Sequence, residues 1–408
     1  MLLYTPKVLS VRLPGTYFRH AHPRRNTPVS SPNDKSTTRI VAGDGGKPSR
    51  RRALQIGVAA GLVVLVGGGA AVASVVAKNN EAQPAVAAAL TTPAAELKLG
   101  YFGNVTHAPA LVGVSKGLIA KELGTTKLTT QIFNAGPAAV EALNAGAIDA
   151  AYLGPNPAIN SFVQSKGASV SIIAGAASGG AQLVVRPGIT SAADLKGKTL
   201  ASPQLGGTQD VALRAWLGKQ GLKTSAAGGG DVAINPTENA QTLKLFQDGK
   251  LDGAWLPEPW ASRLVLQAGA KVLVDEKSLW ENGRFPTTIL IVSKKFAAEH
   301  PETVAALLRG NKAAVDWLNS APAAEKASTI NAALKATAGS TLPADVIDRS
   351  LANITFTVDP LAGTYKKLLQ DGVETGITKQ ADINGIFDLR ALNSITSQKI
   401  SAGGLGQE

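Results

Sequence analysis

From residue 97 onward the chain alternates short apolar, β-branched runs with longer stretches whose apolar positions recur every three to four residues. That alternation marks strands exchanging with amphipathic helices. Residues 97–101 read as a strand. Residues 108–122, with Leu111, Val114, Leu118 and Ile119 on one face, read as a single helix ended at Gly124. Residues 128–133 form the next strand, and Gly136-Pro137 opens a helix with Pro in its first turn. Residues 148–153 are a third strand, leading through Gly154-Pro155-Asn156-Pro157 into a helix that runs to Ser165. Strands at 170–174 and 182–185 follow. A second series repeats the order: strand 199–201, a helix from Gly206-Gly207 through Leu213, Trp216 and Leu217, strand 231–234, helix 238–247, and strand 251–256 ending in Pro257-Glu258-Pro259-Trp260. Residues 287–292 are a β-branched strand, 296–318 a helix, and the rest reads as largely helical.

This order predicts an α/β fold with mainly parallel sheets. Residues 142–152 and 245–255 share one plan. Each ends a helix at Gly, then sets an apolar residue and Asp before a strand that closes on an aromatic and a Pro-rich loop. Two similarly built lobes are expected, with 182–185 and 287–292 as the crossings between them. Lobe 1 is then 96–187 plus 293–408, and lobe 2 is 188–292. A length of 408 residues accommodates two lobes and a leader.

Charge and composition change the picture at the N-terminus. Residues 1–52 hold eleven Lys and Arg against Asp34 and Asp44, so nine of the twelve net positive charges lie there. The remainder is nearly balanced, which argues against a phosphate-tracking surface and against nucleic acid as a partner. Residues 53–77 carry no charge and follow Arg50-Arg51-Arg52, the pattern of a signal peptide or membrane anchor that exports the body. Ser49-Arg50-Arg51-Arg52-Ala53-Leu54 also resembles a twin-arginine signal. Residues 1–52 read as a basic disordered segment and 78–95 as a small-residue linker. The absence of cysteine excludes disulfides, thiolate metal sites and a Cys-linked lipid anchor. His20, His22, His107 and His300 show no ligand spacing, and no nucleophile and base fall together. No catalytic residue, metal or cofactor is expected.

Three segments carry a family resemblance: Gly136 through Asp149, Asp194-Leu195-Lys196-Gly197-Lys198, and Asp252 through Trp260. With them the body, over residues 96–320, resembles the NitT/TauT group of ABC-importer binding proteins, receptors for aliphatic sulfonates, taurine, nitrate and related solutes. The resemblance implies the type II periplasmic-binding fold, two α/β lobes around a ligand cleft. It also implies a monomer that delivers a small anion or zwitterion to a permease and its ATPase. An alkanesulfonate is the expected solute. The alternatives are nitrate, bicarbonate or a pyrimidine precursor, and, further off, a membrane-tethered sensor or an enzyme. One relative of this fold makes a thiamine precursor, but its His-rich, Cys-bearing pattern is missing here.

Ligands of open α/β sheets bind outside the strand carboxyl ends, where helix N-termini offer free N–H groups. The loops expected there nominate Asn104, Thr106, Asn156, Thr208 and Gln209 as donors, with His107 beside them, Gly136 and Gly207 as close backbone approaches, and Trp260 as an apolar wall. Asn104, Thr106, Asn156 and Thr208 equally suit ordinary helix caps. Glu258 has two readings: facing the cleft it favours a zwitterion such as taurine, whereas paired with Arg263 it is structural. Arg214 and Arg284 are further anion candidates.

Overall fold

The computed structural model describes residues 92–408. The readings of residues 1–52 and 53–77, and most of the linker, lie outside the described residues. In chain order, β1 (Glu96–Phe102) leads to α1 (Ala108–Ser115) and α2 (Leu118–Leu123). β2 (Lys127–Phe133) leads to α3 (Gly136–Asn144), and β3 (Ala150–Leu153) to α4 (Pro155–Gln164). β4 (Val170–Gly179) and β5 (Ala181–Val185) follow. Next come β6 (Thr199–Ser202) with α5 (Thr208–Lys219), β7 (Ala233–Pro236) with α6 (Asn239–Gln247), β8 (Gly253–Pro257) with α7 (Trp260–Ala268), and β9 (Lys271–Asp275). β10 (Pro286–Ser293) precedes α8 (Lys294–Glu299), α9 (Pro301–Ser320), α10 (Ala323–Ala338) and α11 (Ala344–Ala352). The chain closes with β11 (Ile354–Phe356), α12 (Tyr365–Glu374), β12 (Phe387–Asp388), α13 (Arg390–Asn393) and β13 (Gly406–Gln407).

The strands make two sheets. The larger, of eight strands, runs β13-β12-β4-β10-β3-β1-β2 with β11 added on β4; the smaller, of five, runs β7-β6-β8-β5-β9. β1 pairs in parallel with β2 and β3, and β6 with β7 and β8, so β1, β2 and β3 end on one side of their sheet and β6, β7 and β8 on one side of theirs. β10 runs antiparallel between β3 and β4, and β5 antiparallel between β8 and β9.

The pairing moves the expected boundaries. β5 lies wholly in the smaller sheet and β10 wholly in the larger, so neither strand crosses. The chain passes between sheets at Gly179-Gly180 and again in the two short 3-10 turns Glu276–Leu279 and Glu281–Gly283. Both glycines are left-handed, with φ of 77° and 75°. A Cβ on Gly179 would sit 2.7 Å from the Asn353 carbonyl, and one on Gly180 2.5 Å from Ile354, so no side chain fits at this passage.

The apolar runs explain the layers. Ala181, Leu183 and Val185 of β5 join Leu213, Leu217 and Trp255 on one face of the smaller sheet, while Val184 joins Phe246, Leu256 and Leu264 on the other. A strand buried on both faces reads as a near-continuous apolar run, and β5 does so apart from Gln182. The larger core gathers Leu97, Leu99, Tyr152, Ile289 and Ile291 with the buried faces of α9 and the tail, including Leu307, Tyr365 and Phe387.

Other expectations change locally. The single helix over 108–122 breaks at Lys116-Gly117 into α1 and α2. The helix over 296–318 breaks before Pro301, which lacks an N–H and instead starts α9. The tail is not only helical, since it adds β11, β12 and β13 to the larger sheet. No described helix is long and apolar enough to cross a membrane.

Candidate functional site

The carboxyl ends of the parallel strands in both sheets face one small cavity of about 30 Å³. By size it holds about two waters or one small head group. Its wall takes residues from every strand-to-helix loop on that side: Asn104, Thr106 and His107 after β1, Asn134 to Gly136 after β2, Gly154 after β3, Gly207 to Gln209 after β6, Asn239 after β7, and Pro257 at the end of β8. A wider chamber of about 430 Å³ adjoins it and shares Asn104, Asn134 and Asn239 with it.

The helices that start here are uncapped by their own flanking side chains. α3, α4, α5 and α6 begin after Ala135, Gly154, Gly207 and Glu238, and none of these side chains bonds the first turn. Uncapped N-termini leave N–H donors and positive dipole ends, the usual cradle for an anion. One donor is taken: the Asn156 N–H donates to Thr208 Oγ1 at 3.3 Å, tying the start of α4 to the start of α5. That closeness is why residue 154 has no side chain, since a Cβ there would overlap the Thr208 hydroxyl.

None of the inner wall residues carries a full charge at neutral pH. His107 is buried, its Nδ1 accepts from the Phe102 N–H at 3.3 Å, and burial pushes the imidazole down to about 3. It is therefore neutral, with its proton on Nε2. Thr287 of β10 also lines the wall, and its hydroxyl donates to the Gly179 carbonyl at the first passage between the sheets. The inner cavity offers neutral hydroxyls, amides and an imidazole, with no cation.

The outer chamber differs. Phe133, Leu334 and Leu342 give it apolar walls, and Trp260 stands at its junction with the inner cavity, donating its indole N–H to Asn104 Oδ1 at 2.8 Å. Arg263 lies over the Trp260 ring at 4.6 Å, and burial lowers its pKa. Glu238, also in the lining, accepts from Asn134 Nδ2 at 2.8 Å.

Of the nominated residues, Asn104, Thr106, His107, Gly136, Gly207, Thr208 and Gln209 come together on the inner wall, and Trp260 lies in the outer chamber. Two do not line either cavity. The Asn156 side chain turns away and donates to the Leu368 carbonyl at 3.2 Å. Glu258 is fully buried and faces neither cavity nor Arg263; it accepts from Arg349 Nη1 at 3.1 Å, Asn353 Nδ2 at 2.7 Å and the Ser262 N–H at 2.9 Å. Gly136 is close-packed against a helix, because a Cβ would meet Pro157 at 2.6 Å. Arg214 pairs with Asp210 at 2.9 Å and Arg284 with Asp359 at 3.2 Å, so neither serves this site. Asn134, Glu238, Asn239, Arg263 and Thr287 were not nominated. The signal for Glu238 and Asn239 was available, since both sit at a strand-to-helix turn equivalent to the one that holds Thr208.

Comparison with known proteins agrees with this fold. Escherichia coli taurine-binding periplasmic protein is 31% identical over 209 residues, 51% of this chain and 61% of that protein, so the match spans less than two thirds of that relative. The periplasmic aliphatic sulphonate binding protein SsuA from Escherichia coli superposes with a TM-score of 0.57 at 25% identity, over 71% of this chain and 95% of that one. The periplasmic nitrate-binding protein NrtA from Synechocystis does so with a TM-score of 0.60 at 19% identity, over 71% and 83%. The fold is thus that of the periplasmic binding proteins, as the sequence implied. The model of the NMT1-like family matches residues 90–333, and the chain belongs to that family.

Proposed function

We propose that this chain is the extracytoplasmic solute-binding subunit of an ABC importer, and that it holds the oxyanion head of a small organic solute such as an alkanesulfonate. The observation that carries this reading is the pairing of two cavities: an uncharged, donor-lined inner one at uncapped helix starts, and an apolar, aromatic outer one of about 430 Å³. A monoanionic head suits the first and a carbon tail the second. Nitrate or bicarbonate would use the inner cavity alone and leave Trp260 and Phe133 without a role. Relatives named for taurine and aliphatic sulfonates support the same choice. They are binding proteins rather than enzymes, and their periplasmic setting supports export of this body and delivery to a permease and its ATPase.

Solute would be gripped from both sheets, since the inner wall draws on loops of each. Closure about the two passages at 179–180 and 276–285 is the expected response. Thermal shift and calorimetry with propanesulfonate, butanesulfonate, nitrate and bicarbonate test the proposal. Stabilisation by the sulfonates, with X-ray scattering showing compaction on binding, is expected. Selective stabilisation by nitrate or bicarbonate refutes the sulfonate assignment.

A further inference from the structure

The outer chamber has sixteen wall residues, of which only Glu238 and Arg263 ionise. They have opposite signs, yet no ion pair joins them to each other, or joins either to another described residue. Glu238 is one contact removed from the inner wall and Arg263 two. Glu238 is bonded to Asn134, and Arg263 lies on Trp260, which is bonded to Asn104. Glu238 keeps its second oxygen open, because its one bond uses Oε1. Arg263 uses Nε on Gln267 at 3.0 Å, which leaves its two terminal amino groups as a fork. A guanidinium fork matches a carboxylate, and an open carboxylate oxygen matches an ammonium. A plain alkyl tail would answer neither.

We infer that the outer chamber is a zwitterion subsite, in which Arg263 receives a carboxylate and Glu238 an ammonium, so that the preferred solute is an α-amino acid whose side chain ends in a sulfonate-like head. The inference rests on the proposed binding of a sulfonate head in the inner cavity. Both charged contacts are needed for full affinity, which separates this solute class from amine-only and carboxylate-only sulfonates.

The test is calorimetry on the purified protein with four probes: 2-amino-3-sulfopropanoate, 2-aminoethanesulfonate, 3-sulfopropanoate and propanesulfonate. The amino acid is expected to bind more than tenfold tighter than propanesulfonate, with the other two between them. Glu238→Gln, which keeps an oxygen for Asn134, should reduce the preference for amine-bearing over amine-free probes by about tenfold. Arg263→Gln should do the same for carboxylate-bearing probes, and Arg263→Lys should restore part of it. Equal binding of all four probes, or ratios that neither variant moves, overturns the zwitterion subsite while leaving the sulfonate reading intact. Failure of every sulfonate to bind wild-type protein overturns both.

Discussion

Arg349→Met should destabilise the fold by about 3 kcal/mol, the lower end of what breaking a buried ion pair costs. Glu258 is wholly buried and accepts from Arg349, Asn353, the Ser262 N–H and Ser350 Oγ, the last at 3.3 Å. Loss of Arg349 removes the one full positive charge from this set and leaves a buried carboxylate held by neutral donors. It also strips Gln182 Oε1 and Ser262 Oγ of their donor, at 2.7 Å each. Two factors keep the value low: three donors remain, and the Arg349 side chain is 23% exposed, so some water reaches the pair. Urea unfolding of wild type, Arg349→Met, Glu258→Gln and the double variant at pH 7 measures it. The double variant should be more stable than Arg349→Met alone, because the stranded charge is gone. A loss under 1 kcal/mol for Arg349→Met, or additive effects in the double variant, would refute the account.

Burial pushes the Glu276 carboxyl up to about 7 from 4.5, against hydrogen bonds from Trp255 and Trp280 that pull it down. Between those values the folded chain retains a proton that the unfolded chain has released. The stabilisation that this one group supplies is therefore full below pH 4.5 and declines by about 3 kcal/mol as pH rises through 7. Glu276→Gln should lack that decline, and a stability difference between the two proteins that stays constant from pH 4.5 to 7.5 contradicts it. Because His107 titrates near 3, solute affinity should be flat from pH 5 to 8, and a binding midpoint near 6.5 by calorimetry would show a charged imidazole in the wall. Thr208→Ala removes both a wall hydroxyl and the acceptor for the buried Asn156 N–H, so affinity should fall about tenfold and the melting temperature should drop by a few degrees. Unchanged affinity would move the head group away from α5.

Much of the fold was legible because period and punctuation are local. β8 reads as an apolar run and β5 as one interrupted only by Gln182, and glycine or proline marks most helix ends. The candidate site was legible as far as the strand-to-helix loops, which a fold of this class places together. Which residue of each loop faces the cavity was not. Thr208 and Asn239 are the first residues of α5 and α6, whereas Asn156 is the second of α4. One residue turns a helix by about 100°, enough to send the Asn156 amide to Leu368 instead. Glu258 posed a different difficulty. Arg263 was the nearby cation, but the partner comes from α11, 91 residues away, and no local pattern reports such a pairing. The short strands β12 and β13 have two residues each, too few to show a period, and exist because the larger sheet offers them an edge.

The passage at Gly179-Gly180 is hemmed in by Asn353 and Ile354, and the same stretch supplies Arg349 and Asn353 to Glu258, whose N–H donates to the Gly180 carbonyl at 2.8 Å. All of these tail residues lie beyond residue 333, where the family match stops. In the proposed closure, a smaller sheet turning about the two glycines would drag against this stretch, which would work like a brake shoe on an axle. Stiffness of that proposed swivel, and with it the rate of solute capture and release, would then be adjustable from residues that line neither cavity.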